Sequence, residues 1–170
     1  MVNPNVEFIS LTSLRAEAIG EPGQRTFRIV AESGDSTAVI WLEKEQLLQL
    51  VMAITQLLAT EPESGENDSG PEVKIPPTHL EFKATELVLG HEATSGRFII
   101  DAKDVESMEG DPPMIRLWSL RSQLSDFAEE SLRVCAAGRP ICPLCGSPID
   151  ASGHRCPRSN GHGLLDLKDL

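Results

Sequence analysis

The chain has 170 residues, of which 40% are hydrophobic and 24% charged, a composition typical of one globular domain or two small subdomains. Its 26 acidic residues outnumber its 15 basic ones, and the formal net charge of -11 argues against general nucleic-acid binding, which relies on Lys and Arg at phosphates. Residues 1–20 lack a signal-peptide pattern, and no apolar run approaches the roughly 18–20 residues that cross a bilayer. We therefore expect no membrane insertion and a cytoplasmic location.

The first part of the chain, residues 1–60, reads as three strands followed by a helix. Polar and apolar residues alternate over 6–11, 25–30 and 37–41, which predicts half-buried strands. From residue 43 to about residue 59 the apolar spacing becomes helical, with Leu47, Val51, Ile54 and Leu58 on one face. These elements predict a first α+β lobe.

Residues 61–77 interrupt this pattern. The stretch from Glu61 to Pro71 is acidic and has no large apolar residue. Such a segment cannot bury enough surface to offset the entropy of ordering it. We expect a flexible linker here.

The next part, residues 78–138, again reads as strands followed by a helix. Strand patterns cover 79–84, 86–89, 96–100 and 114–118, and a helix is predicted over 119–137 with Ser119 as its N-cap. These elements predict a second α+β lobe.

The two parts resemble each other. Residues 7–8 correspond to 81–82, 27–29 to 98–100, and 41–47 to 118–124, and the two Trp residues, Trp41 and Trp118, fall at matching strand-to-helix junctions. One interpretation is an internal duplication with a pseudo-twofold relation between lobes; the other is that such junctions converge by chance. The predicted fold class is α+β, with two β-rich lobes followed by a small zinc ribbon.

A cysteine and histidine cluster dominates residues 139–170. Cys142 and Cys145 form a Cys-x-x-Cys turn, and Cys156 adds a third thiol. Zinc in structural sites takes four thiolate or imidazole ligands in a tetrahedron. The sequence therefore predicts one structural zinc, with His162 preferred as the fourth ligand and His154 as the alternative.

Two other interpretations of the cluster are less favoured. A redox Cys-x-x-Cys is expected after a strand, at a helix N-terminus, whereas this pair follows the Gly138–Pro140 turn at the end of a helix. A catalytic zinc needs an open coordination position, and no Glu lies within the cluster to act as general base. The remaining cysteine, Cys135, falls on the apolar side of the last predicted helix and is expected to be a core residue.

No nucleophile–base pair, phosphate-binding loop or pair of catalytic acids is evident. The sequence therefore favours a non-catalytic binding or adaptor protein with a protein partner. The alternative is an enzyme whose site lies between the two lobes and binds an anionic substrate through strand arginines, namely Arg25, Arg97 and Arg116.

Nearly the whole chain also resembles an uncharacterised bacterial family, found mainly in actinobacteria and known only as a domain of unknown function. The resemblance is carried by residues 20–27, 42–46, 137–140, 142–146 and 153–161. It implies no established activity. It does imply that members are often encoded near a lipid-kinase-like protein and a histidine-phosphatase-like protein.

Overall fold

The computed structural model describes residues 3–61, 76–108, 110–138, 142–147, 149, 153–158 and 164–165. The flexible linker was predicted at 61–77, and most of it, residues 62–75, lies outside the described residues. Nine strands and two helices are described: β1 (Val6–Phe8), β2 (Ser13–Ile19), β3 (Thr26–Ser33), β4 (Ser36–Leu42), α1 (Lys44–Thr60), β5 (His79–Glu92), β6 (Arg97–Asp104), β7 (Ile115–Ser119), α2 (Arg121–Ala136), β8 (His154–Arg155) and β9 (Leu164–Leu165).

Seven of the strands form a single sheet in the order β1-β7-β6-β5-β4-β3-β2. Neighbouring strands are antiparallel except at two places, where β4 pairs with β5 and β1 pairs with β7 in parallel. The mixed α+β class is as predicted. Strands of both predicted lobes lie side by side in this sheet, so its hydrogen bonding continues across the boundary between them.

The two edges of the sheet lie near each other. The edge strands β1 and β2 are joined by residues 9–12 alone, a connection that spans at most about 18 Å when extended. The joining segment is tied to β3, because the Thr12 N–H donates to the Glu32 carbonyl and the Ser33 hydroxyl donates to the Ser10 carbonyl. The sheet therefore curls toward closure.

The strand β2 was missed by the sequence analysis. Its segment, Ser13-Leu-Arg-Ala-Glu-Ala-Ile19, does alternate, with Leu14, Ala16 and Ala18 on the face that packs against the core. Alanine has little strand preference, so the pattern is weak. Pairing along the whole length of β3 decides the conformation instead.

The start of α2 also differs from the prediction. Ser119 is the last residue of β7 and is fully buried, and the N-cap is Leu120. The Leu120 N–H donates to the side-chain oxygen of Gln123 at 3.0 Å, and Glu43 at the start of α1 makes the same bond with Gln46 at 2.8 Å. A glutamine at the third helical position thus satisfies an unpaired N–H at each helix start.

The main core lies between the sheet and the two helices. The helix α1 packs against α2 and β5, while α2 packs against β2. Phe8, Phe98 and Phe127 are the largest fully buried side chains. No helix in the described ranges is both long and apolar enough to cross a bilayer. Beyond α2, β8 and β9 pair antiparallel as a separate two-stranded sheet.

Candidate metal centre

The first two cysteines project from one tight turn. The Gly146 N–H donates to the Cys142 carbonyl at 2.8 Å, and the Cys142 N–H donates to the Ser147 carbonyl at 2.8 Å. Gly146 takes a φ of 74°, a conformation that residues with a side chain rarely adopt. These bonds close the loop, so that Cys142 and Cys145 present their sulfurs from the same turn.

The other two side chains come from a second, nearby segment. His154 lies in β8, paired with Leu165 of β9, and Cys156 directly follows β8. Alternation along an extended strand places residues two apart on the same side. This is how His154 and Cys156, separated by one residue, face the Cys142–Cys145 turn together.

The four ligand atoms form a compact set. All lie within 4.8 Å of one another. The Cys142 and Cys156 sulfurs are 3.7 Å apart, and the Cys145 sulfur is 3.0 Å from the Nε2 atom of His154. Around a tetrahedral zinc ion, bond lengths of about 2.3 Å to sulfur and 2.0 Å to nitrogen give S–S and S–N distances of about 3.8 and 3.5 Å. The Cys142–Cys156 distance matches such a centre, and the Cys145–His154 distance is about 0.5 Å shorter than in one.

The three thiols differ in burial and in hydrogen bonding, and therefore in pKa. Cys142 and Cys156 are each 1% exposed, whereas Cys145 is half-buried. Hydrogen bonds from Ser147, with a smaller contribution from His154, lower the pKa of Cys145 to about 6. Burial raises the pKa of Cys156 above its ordinary value. Cys145 therefore supplies a thiolate at neutral pH, and Cys156 gives up its proton when a cation compensates for its burial.

None of the four cysteines, all within the described residues, forms a disulfide. The 3.7 Å between the Cys142 and Cys156 sulfurs is far longer than the roughly 2.05 Å of an S–S bond. Cys135 lies apart, buried in the main core, where burial raises its pKa. The thiols of the cluster are thus in the reduced form that binds metal ions.

The structure brings together Cys142, Cys145 and Cys156, and it places His154 with them. His162, the preferred fourth ligand in the sequence analysis, lies outside the described residues. The sequence showed that one histidine was needed but could not show which, because that choice depends on how β8 is placed against the turn.

The strand arginines do not form a common site. Arg116 makes a two-pronged pair with Asp101, with Nε–Oδ1 and Nη2–Oδ2 distances of 2.7 Å each. Arg97 lies on the neighbouring strand, four residues from the partner position of Arg116, or about 13 Å along the strand. Arg25 precedes β3, on the other side of the sheet order. Of these arginines, Arg116 is already paired with a carboxylate, that of Asp101.

Together, fold and site define a mixed α+β protein whose single sheet is followed by a small Cys3His module with metal-site geometry. The chain belongs to the family described as Protein of unknown function (DUF3090), whose sequence model matches residues 6–156. All four clustered side chains fall within the matched range. No curated protein and no solved structure matches the chain.

Proposed function

We propose that Cys142, Cys145, His154 and Cys156 bind one Zn²⁺ ion that holds the C-terminal module together. The observation that carries this proposal is the convergence of three sulfurs and one imidazole nitrogen within 4.8 Å. Three thiolates and one imidazole suit zinc better than Mg²⁺ or Ca²⁺, which prefer oxygen ligands. Four protein ligands leave no open position for substrate, and this favours a structural site over a catalytic one.

The module needs such an ion because its own core is small. Among the described residues of the module, the buried cluster consists of Cys142, Ile149 and Cys156, with Cys145 at its border, while Leu144 is 47% exposed. The one isoleucine that is buried in this described part cannot by itself offset the entropy of ordering the segment. Structural zinc contributes on the order of 10 kcal/mol in small domains.

Metal content tests the proposal. Protein purified under reducing conditions without chelator should contain about one equivalent of zinc by mass spectrometry, and Cys145→Ser should lose it. Cys135→Ser is the matched control, since Cys135 is a buried thiol of the main core and should leave the zinc in place. Less than about half an equivalent in the unaltered protein would refute the assignment.

For the whole chain, we propose a non-catalytic binding or adaptor role with a protein partner. Two observations support it: a metal centre closed by four protein ligands, and a strand arginine, Arg116, already paired with Asp101. The enzyme alternative would need an anion-binding arginine without such a partner, and Arg97, whose buried Nε atom has no hydrogen-bond partner among the described residues, is the candidate that remains for it. A reducing compartment such as the cytoplasm suits a site built from reduced cysteines.

We also propose that the two parts of the chain are structural repeats. In one, the Trp41 indole N–H donates to Glu81 at 2.8 Å; in the other, Trp118 donates to Glu7 at 2.6 Å. Each tryptophan is the penultimate residue of a strand that pairs in parallel with the strand carrying its glutamate, so each part donates to the other. Reciprocal contacts at matching positions support a pseudo-twofold relation more strongly than sequence likeness alone.

A further inference from the structure

Part of β5 has a strand on one side only. The strand β4 pairs with β5 over His79–Lys83, and β6 pairs with β5 from Ala84 onward. The register shifts between Ala84 and Glu86, where the strand passes from one neighbour to the other. Within the described part of the chain, residues 86–92 therefore have no strand on the side away from β6.

The turn that follows β5 shows which backbone groups face this open side. The Glu92 carbonyl accepts a hydrogen bond from Gly96 in the turn to β6, so the Glu92 backbone points toward β6. Backbone direction alternates along a strand in an antiparallel pair. The N–H and carbonyl groups of Val88 and Gly90 consequently point toward β6. Those of Leu87 and Leu89 point away from β6, toward the open side.

A groove of about 420 Å³ runs along this open edge, between β5 and α1. It is lined by Gln46, Gln49, Leu50, Ala53, Thr85, Glu86, Leu87 and Leu89. The helix side thus offers apolar and amide side chains, and the strand side offers leucines and outward backbone groups. Glu86 is the only charged residue in this lining.

The matching position in the other half of the molecule is closed. There the Ala16 N–H of β2 donates to the carboxylate of Glu130 in α2 at 3.1 Å. Ala16 pairs with Ile29 as Leu89 pairs with Ile100, so the two N–H groups occupy corresponding places. In α2, Glu130 lies seven residues after Gln123; in α1, Ala53 lies seven residues after Gln46. At the position that corresponds to Glu130, Ala53 carries only a methyl group, and Ala53 lines the groove.

We propose that this groove binds an extended peptide segment of a partner protein, which adds to β5 as a further strand beside α1. The proposal rests on the binding role proposed above and names its site. An extended main chain complements an open strand edge, because its carbonyl and N–H groups pair with those of Leu87 and Leu89. Among the described residues that line the groove, the one carboxylate, on Glu86, is already paired with Lys103 Nζ at 2.9 Å. A segment with apolar residues at alternate positions and no charge requirement therefore fits the groove.

Random peptides of about seven residues, displayed on phage, test this site in the full-length protein, because they match the length of the open edge. Peptides are selected on the unaltered protein, after those that also bind the Ala53→Glu variant have been removed. This variant has a glutamate in the groove, at the position that corresponds to Glu130. Enriched sequences should alternate apolar residues and lack proline at every second position. No enrichment over the Ala53→Glu variant would overturn the proposal.

The affinity of the best enriched peptide, measured for several variants, then shows whether it binds in the groove or elsewhere on the surface. Ala53→Glu should weaken binding at least about tenfold, and methylation of alternate peptide nitrogens should do the same, since both remove strand pairing. Met52→Glu is the matched control, because Met52 is the neighbouring residue, is 72% exposed, and does not line the groove. Equal loss in Met52→Glu and Ala53→Glu would point to charge alone and overturn the proposal. Zinc content of each variant, measured in parallel, keeps a failure of the metal centre distinguishable from a failure of this site.

Amide hydrogen exchange tests the open edge without any ligand. In the free protein, Val88 and Gly90 should exchange slowly and Leu87 and Leu89 quickly, and added peptide should slow the second pair. Slow exchange of Leu87 and Leu89 in the free protein would contradict the proposal. If that protection is independent of protein concentration, the chain itself covers the edge; if it increases with concentration, a second copy does.

Discussion

At the scale of single residues, the Arg116–Asp101 pair is the most buried ion pair among the described residues, with side chains 7% and 17% exposed. The hydrogen bonds that Arg116 donates to Asp101 raise the pKa of Arg116 above its ordinary value. Both charges lie on adjacent strands, β7 and β6, at directly paired positions. Each depends on the other, because neither can be fully hydrated where it lies.

Removing one partner of this pair should be costly. We expect Arg116→Met to lower the free energy of unfolding by about 3 kcal/mol, because it leaves Asp101 without its cation in a poorly hydrated place. Urea denaturation measures the change. Arg15→Met is the control: its pair with Glu32 has side chains 46% and 39% exposed, so we expect a loss under about 1 kcal/mol. Similar losses in both variants would contradict this explanation.

The identity of the fourth metal ligand is also decided at the residue scale. We expect His154→Asn to lose zinc, because the His154 ring nitrogen already lies 3.0 Å from the Cys145 sulfur. His162→Asn should retain it. Zinc content of the two variants gives the answer, and the reverse outcome would assign the ligand to His162.

At the scale of elements, one glutamine near the start of each helix links that helix to a bend in the sheet. The Gln46 amide donates to the carbonyls of Ala84 and Thr85, where β5 changes its neighbour, at 3.4 and 3.3 Å. The Gln123 amide donates to the Leu11 carbonyl at 2.8 Å, between β1 and β2. Each side chain thus caps its own helix and fixes the bend that the other half contributes.

We expect Gln123→Ala to lower the free energy of unfolding by about 1–2 kcal/mol, because it removes a cap and leaves a carbonyl in a sharp bend without its donor. Gln56→Ala, at an exposed site on α1, should change stability by less than about 0.5 kcal/mol. Thermal or urea unfolding compares the two. If the Gln123 variant proves as stable as the Gln56 variant, the bend does not depend on this bond.

At the scale of the whole molecule, two separate hydrophobic clusters are present in the described part of the chain. The larger joins the sheet to both helices, and the smaller contains Cys142, Ile149 and Cys156. No side chain belongs to both. The metal centre and the sheet should therefore unfold independently.

We expect a strong chelator to release the zinc and loosen residues 142–158, while the sheet and helices persist. The reason is that the larger cluster includes none of the metal ligands. Far-ultraviolet circular dichroism should change little, whereas amide signals of the module should collapse to unstructured positions in NMR spectra. Cooperative loss of the helical signal on chelation would show instead that the two parts fold as one.

The sequence by itself determined that a Cys/His cluster able to hold a metal ion lies near the C-terminus, and it determined most of the elements. Cys142, Cys145 and Cys156 have the close spacing typical of metal ligands, and the helical spacing of Leu47, Val51 and Ile54 is long enough to be unambiguous. Both signals are local, so neighbouring residues are sufficient to express them. The matching strand-to-helix junctions at Trp41 and Trp118 are also local patterns that the sequence shows directly.

Only the tertiary structure decided how these parts combine. The weak alternation around Ala16 becomes a strand because β3 pairs along it, and the Ser119 hydroxyl is buried because the strand β7 continues through that residue. Within the described residues, the open edge at Leu89 follows from which strands meet, and Ala53 lines it where α2 has Glu130. Such features depend on contacts between residues far apart in the chain, whose energies no local pattern records.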